Sequence, residues 1–126
     1  MVSQVDHIEL IVNDLEGYVR LFQAIGFKLL SRTTHHGVSV ELQLPGPNQP
    51  VFELHQVQGE EVIGVNHIAF RVDDVRAAYE SLKAQGVRFE REPQYIKETG
   101  RTIANGRDPD GWRFQLVDAK RQAPSA

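Results

Sequence analysis

The 126-residue chain contains no cysteine. That removes disulfide staples, thiolate metal sites and cysteine nucleophiles together, and leaves nitrogen and oxygen donors for any metal ion. Long apolar runs are also missing: none approaches the roughly 20 residues needed to span a bilayer, so no membrane partner is expected. Lys and Arg number 14 against 17 Asp and Glu, a formal charge of -3, and they form no basic stripe. Nucleic acid is therefore not an expected partner. The N-terminus enters an alternating apolar pattern at Val5 with no basic segment followed by a hydrophobic stretch, so no signal peptide is expected and the reading is a cytoplasmic protein.

What is present is an average soluble composition, 40% apolar and 25% charged, which argues against disorder. The length suits one compact domain over residues 1–126 and is too short for two of ordinary size. Inside it lies a repeat. Residues 5–29, VDHIELIVNDLEGYVRLFQAIGFKL, align without gaps on residues 65–89, VNHIAFRVDDVRAAYESLKAQGVRF. Val5/Val65, His7/His67, Ile8/Ile68, Val12/Val72, Asp14/Asp74, Ala24/Ala84 and Gly26/Gly86 are identical, where chance gives about one or two such matches.

Each copy has a physical reading. In DHIELIV, period-two alternation sends Ile8, Leu10 and Val12 to one face and His7, Glu9 and Ile11 to the other. Asp14 suits a helix N-cap, Leu15, Tyr18, Phe22 and Ile25 recur at helical spacing, and Gly26 supplies the stop. Asp74, Val75, Ala78, Leu82 and Gly86 repeat the design, with Tyr79 as further core. Three strand-like runs follow each helix: around 27–32, 38–44 and 51–57, then 87–91, 102–107 and 112–117. PGPNQP, residues 45–50, reads as a hairpin loop and RDPDG, residues 107–111, as a tight turn. Residues 58–64 link the halves, 92–100 form a polar loop, and the tail from Lys120 is expected to fray. The fold class is α+β, with two tandem βαβββ modules of about 4–57 and 65–118 in one domain.

Four polar residues occupy corresponding places. His7 and His67 stand on the first strand of each module; Glu53 and Gln115 stand on the last, in the parallel contexts PheGluLeu and PheGlnLeu. Two imidazoles and a carboxylate suit Zn, Ni, Co, Mn or Fe, with an amide oxygen and water completing the shell. Alternation puts Glu9, Glu41 and His55 on the same polar fronts as candidate substrate contacts. Bland readings stand beside these: histidines hydrogen-bonded in a polar interior, an exposed edge carboxylate at Glu53, a structural hydrogen bond at Gln115, an outer position for His55. His35 and His36 read as a solvated loop with no role. Arg71 and Arg101 read either as anion clamps or as ordinary ion pairs, Trp112 as cover at the end of the fold, and the charges of 76–83 as a solvated helix face.

DHIELIV with LEGYVRLFQAIGF, FEL at 52–54, GVNHIAFRVDDVRAAYESLKAQGV and DPDGWRFQLVD together resemble the vicinal oxygen chelate superfamily from Val5 to Asp118. That superfamily includes glyoxalase I, methylmalonyl-CoA epimerase, extradiol dioxygenases and bleomycin resistance proteins. The resemblance implies an open barrel-like cup with helices outside, and metal ligands on the first and last strands of each module. It also implies a substrate chelating the ion through neighbouring oxygens, and a homodimer. His7, Glu53 and His67 match family ligands in type and place; Gln115 stands where a glutamate is usual.

A neutral amide accepts no proton, so the base falls to Glu53, or to Glu9 or Glu41. Ile11 and Val57 stand where the short bacterial glyoxalase I carries glutathione contacts, so another carrier is expected, with Arg71 projecting into the cup toward an anion. The implied activity is metal-dependent proton transfer by a lyase, isomerase or epimerase on a small molecule. The alternatives are a non-haem iron dioxygenase, disfavoured by Gln115 on the final strand, and an antibiotic-binding protein, disfavoured by the nearly complete ligand set.

Overall fold

A computed structural model describes residues 1–34 and 37–118. The elements run β1 (Val2–Val12), α1 (Leu15–Ala24), β2 (Lys28–Thr33), β3 (Ser39–Gln43), β4 (Val51–Gln56), β5 (Gly64–Val72), α2 (Val75–Ala84), β6 (Arg88–Phe89), β7 (Gln94–Ile96), β8 (Arg101–Arg107) and β9 (Arg113–Asp118). The βαβββ order of the first module is as expected. The second gains a strand: β7 lies in the stretch read as a polar loop, where Gln94, Tyr95 and Ile96 pair with Ile103, Thr102 and Arg101. Three residues are too few for periodicity to show. No helix among the described residues is long and apolar enough to cross a membrane.

The chain divides into two compact units, one of Asp6–Ile68 and the other of Met1–Val5 with the described residues from Ala69 on. In the first unit the strand order is β2-β3-β4-β1, with β1 and β4 parallel and the other pairs antiparallel. Its core is Val12, Leu15, Val19, Val40, Leu42 and Leu54, with Phe22 and Phe27 packed against it. Spacing at Leu15, Val19 and Phe22 sets the buried stripe of α1. Tyr18 and Ile25, read from the sequence as part of that stripe, are exposed, Ile25 at 61%. The error is one of phase: Val19 lies on the core side of the helix, and a ten-residue helix offers room for one stripe.

In the second unit β8 is central, pairing antiparallel with β9, β6 and β7. Val72, Val75, Ala78, Tyr79, Ala104 and Leu116 form its core, with Phe89 and Phe114 packed against it. Gly106 lies beneath the Phe114 ring, and a Cβ there would strike that ring and the Arg88 carbonyl.

The repeat is visible in hydrogen bonds. Asp14 accepts from the Gly17 amide and Asp74 from the Ala77 amide, each at 3.0 Å, which are matching N-caps. At the other ends, Gly26 and Gly86 have φ of 112° and 91°. Phe27 N donates to Phe22 O and Val87 N to Leu82 O, while Gly26 N donates to Gln23 O and Gly86 N to Lys83 O. Both are Schellman closures, which need positive φ at the glycine. Gln56 adds a tie in the first unit: its side chain accepts from Leu15 N and donates to Asn13 O.

Candidate functional site

Alternation along β1 puts His7, Glu9 and Ile11 on the face opposite the core residues Leu10 and Val12. Pairing extends that face into rows. Glu9 is in register with Glu53, Glu53 with Glu41, and Glu41 with Ser31; one step along, Ile11, His55, Ser39 and Thr33 align. Three carboxylates thus share one row, with apolar packing on the opposite face.

The two repeat histidines meet within the first unit. Their Nε2 atoms are 3.3 Å apart, the rings are edge to face with centroids at 5.4 Å, and the residues are 8% and 7% exposed. Each Nδ1 is held by the residue just before it: Asp6 Oδ2 at 2.7 Å for His7 and Asn66 Oδ1 at 2.7 Å for His67. Glu9 Oε2 stands 3.2 Å from the His67 Nδ1 as a further acceptor. Because these oxygens accept, each Nδ1 carries a proton and each Nε2 presents a lone pair. Two lone pairs aimed at one another repel until a proton or a metal cation lies between them. Two nitrogens bound to one divalent ion at about 2.0–2.1 Å stand roughly 2.8–3.4 Å apart, so the observed separation fits a shared ion.

Glu53 makes no side-chain hydrogen bond among the described residues and stays in the carboxylate row. No group of three His, Asp or Glu side chains suited to a metal converges among the described residues. Glu41 accepts from the Ser31 hydroxyl at 2.7 Å. Burial holds the Glu9 carboxyl above the usual range, the negative charge of Glu53 adds to that, and His55 and His7 oppose it.

His55 is 4% exposed, with Nδ1 at 3.2 Å from Ser39 Oγ and Nε2 at 3.0 Å from Glu61 Oε1. Both ring nitrogens are engaged, so it braces β3, β4 and the following loop. Glu61 also accepts from the Gln58 amide. Sequence reasoning passed over Asp6, Asn66, Ser39 and Glu61. For the first two a signal existed: the repeat places an oxygen-bearing side chain immediately before each histidine.

The remaining site candidates lie in the second unit. Gln115 is 8% exposed and its amide nitrogen donates to Asn105 Oδ1 at 3.1 Å, which leaves the amide oxygen as the end suited to a cation. Arg71 is on the β5 face opposite Phe70 and Val72, and its carbonyl accepts from Ser3. Arg101 is buried and donates to the Asp118 carbonyl at 2.6 Å, a bond that ties β8 to the end of β9. Trp112 is 50% exposed instead of covering a core. His35 and His36, and the tail from Lys120, lie outside the described residues.

Known proteins share this fold. The chain is 29% identical over 126 residues to lactoylglutathione lyase of Haemophilus influenzae, covering 93% of each chain. It is 31% identical over 124 residues to the probable lactoylglutathione lyase of Vibrio cholerae, covering 91% of this chain and 90% of the relative. Its fold matches methylmalonyl-CoA epimerase of Streptomyces coelicolor in complex with 2-nitronate-propionyl-CoA, with TM-score 0.76, 23% identity and coverage of 98% and 100%. The match to methylmalonyl-CoA epimerase of Mycobacterium tuberculosis has TM-score 0.78, 21% identity and coverage of 94% and 89%. With relatives of nearly the same extent named as lyases, the chain is an enzyme of lyase type. The family model that describes the Glyoxalase/Bleomycin resistance protein/Dioxygenase superfamily matches residues 4–116, and the chain belongs to that superfamily.

Proposed function

We propose that the protein is a divalent-metal-dependent enzyme that moves a proton on a carbon beside a carbonyl of a small substrate. The observation that carries this reading is the His7–His67 pair: two buried Nε2 atoms 3.3 Å apart, each ring held at Nδ1 by an oxygen of the preceding residue. His7, His67 and Glu53, all in the first unit, would hold the ion. When bound, the ion serves as a Lewis acid that polarises a substrate carbonyl and so acidifies the neighbouring C–H.

The protein groups then divide the work. Glu53, without a hydrogen bond among the described residues, takes the proton from the acidified carbon and returns it to the same or the adjacent carbon. Asp6 and Asn66 hold the imidazole orientations. Ser31 fixes Glu41, and Glu9 is committed to His67, so neither is as open to the substrate as Glu53. Gln115 accepts no proton, and one base favours a lyase or isomerase step over two-sided epimerisation. A single domain of two paired modules and a homodimer complete the proposal.

Metal analysis of the purified protein with His7→Ala, His67→Ala and Glu53→Gln tests it. We expect near-stoichiometric Zn, Ni, Co, Mn or Fe in the parent and its loss in both histidine variants. Glu53→Gln should abolish deuterium exchange from solvent into a bound 2-oxo compound. Retention of stoichiometric metal in both histidine variants would overturn the site.

A further inference from the structure

The second unit carries a row of cations on the same face as Gln115. Arg88 on β6 is in register with Arg107 on β8, and Arg107 with Arg113 on β9. Partners in register point to one side of a sheet. The next row, Phe89, Gly106 and Phe114, points to the other side, where Phe89 and Phe114 join the core. The row beyond holds Asn105 opposite Gln115. Three arginines therefore stand in one register row on one face, with Arg113 two residues along β9 from Gln115, roughly 6–7 Å between Cα atoms.

Like charges directly opposite one another destabilise a sheet, and a single carboxylate answers this row among the described residues. Glu90 is ion-paired with Arg107 Nη2 at 2.6 Å and accepts from Arg113 Nε at 3.1 Å and Nη2 at 3.4 Å. Arg88 donates only to the Asp108 carbonyl, and Arg107 also to the Gly111 carbonyl. The Asp108 carboxylate is turned into its own loop, accepting from the Asp110 and Trp112 amides. Glu90 shows that Arg107 and Arg113 together already hold one oxyanion, Arg113 through two nitrogens and Arg107 through one, while among the described residues no carboxylate pairs with Arg88.

From this juxtaposition we infer that Arg88, Arg107 and Arg113 form an anion site that receives a phosphate or carboxylate group. The site lies wholly within the second unit and does not depend on the metal reading given above. Glu90 competes with the ligand for Arg107 and Arg113, so it sets the affinity from inside.

Trp112 is the single tryptophan of the chain and immediately precedes Arg113, so its fluorescence reports on the row. The full-length protein, with chelator and at low ionic strength, is titrated with inorganic pyrophosphate and, separately, with malonate, which distinguishes phosphate from carboxylate preference. We expect saturable binding that weakens in 0.5 M salt by about tenfold. Arg88→Gln and Arg107→Gln should each weaken it about tenfold or more, and Glu90→Gln should strengthen it. Opposite signs in variants of one cluster are not produced by general loss of structure, and Arg88→Gln leaves both Glu90 pairs in place.

The same titration in His7→Ala is expected to be unchanged, and metal content is measured in parallel. Loss of binding in His7→Ala would place the anion at the histidines and overturn the subsite without touching the metal reading. No saturable binding by either probe, or equal affinity in parent, Arg88→Gln and Arg107→Gln, would overturn it as well. Loss of metal from the parent's histidine pair would sink the metal reading and leave the subsite standing.

Discussion

The residue just before each repeat histidine fixes what that histidine does. Asp6 and Asn66 each hold an Nδ1 at 2.7 Å, and side chains behind metal-bound histidines commonly govern affinity by 10–100-fold. Asp6→Ala is therefore expected to weaken metal binding by about that factor while the fold melts normally, as read by calorimetric titration beside circular dichroism. Glu9 gives a pH prediction. Its carboxyl is raised above the usual carboxylate range by burial and by the Glu53 charge, so the folded state holds that proton more tightly than the unfolded chain. Stability in metal-free protein is undiminished by Glu9 below the unfolded value, and falls as pH rises through the raised folded value. Glu9→Gln should remove that fall; chemical denaturation of parent and variant across pH 4–8 in chelator (about the range where carboxyls titrate) checks it, and parallel curves would count against it.

At the scale of the element, the sequence was most legible where one motif sets both ends. The aspartate caps and glycine closures of α1 and α2 bracket both helices, and alternation placed His7, Glu9, Glu53 and Glu41 on one face because the register rows are continuous. Legibility failed in short or weakly amphipathic pieces. β7 has three residues, β6 has two, and the phase of α1 was misread because Tyr18 and Ile25 share a helical spacing with the true stripe. Contacts between residues distant in sequence, such as the 3.1 Å bond from Leu15 N to the Gln56 side chain, leave no local pattern. The Gly106 row allows a sharp test: Gly106→Ala forces a methyl into the Phe114 ring and should cost about 1–3 kcal/mol. Asp74→Ala, losing a cap, should cost about 1 kcal/mol. Urea unfolding measures both.

For the whole molecule, the boundary between compact units does not coincide with the boundary of the repeat. The repeat starts afresh at Val65, yet Asn66, His67 and Ile68 belong with the first unit, and Met1–Val5 belong with the second. The metal reading depends on that, because His7 and His67 are in one unit only through this exchange of strand ends. Deleting residues 1–4, which removes the Ser3 bond to the Arg71 carbonyl, should lower hydrogen-exchange protection in α2, β8 and β9 more than in α1 and β3. Equal loss in both units would contradict the division.

The same exchange bears on how the protein is made. Residues 1–5 leave the ribosome ahead of the rest of their unit, which resumes only at Ala69, 64 positions later. At about 5–20 residues per second that is a delay of roughly 3–13 s, during which Met1–Val5 lack the rest of their unit. His67, in contrast, emerges as its unit is completed at Ile68. A nascent chain halted shortly after the first unit clears the tunnel would already possess both facing imidazoles, and its capacity to take up metal would precede the synthesis of Gln115.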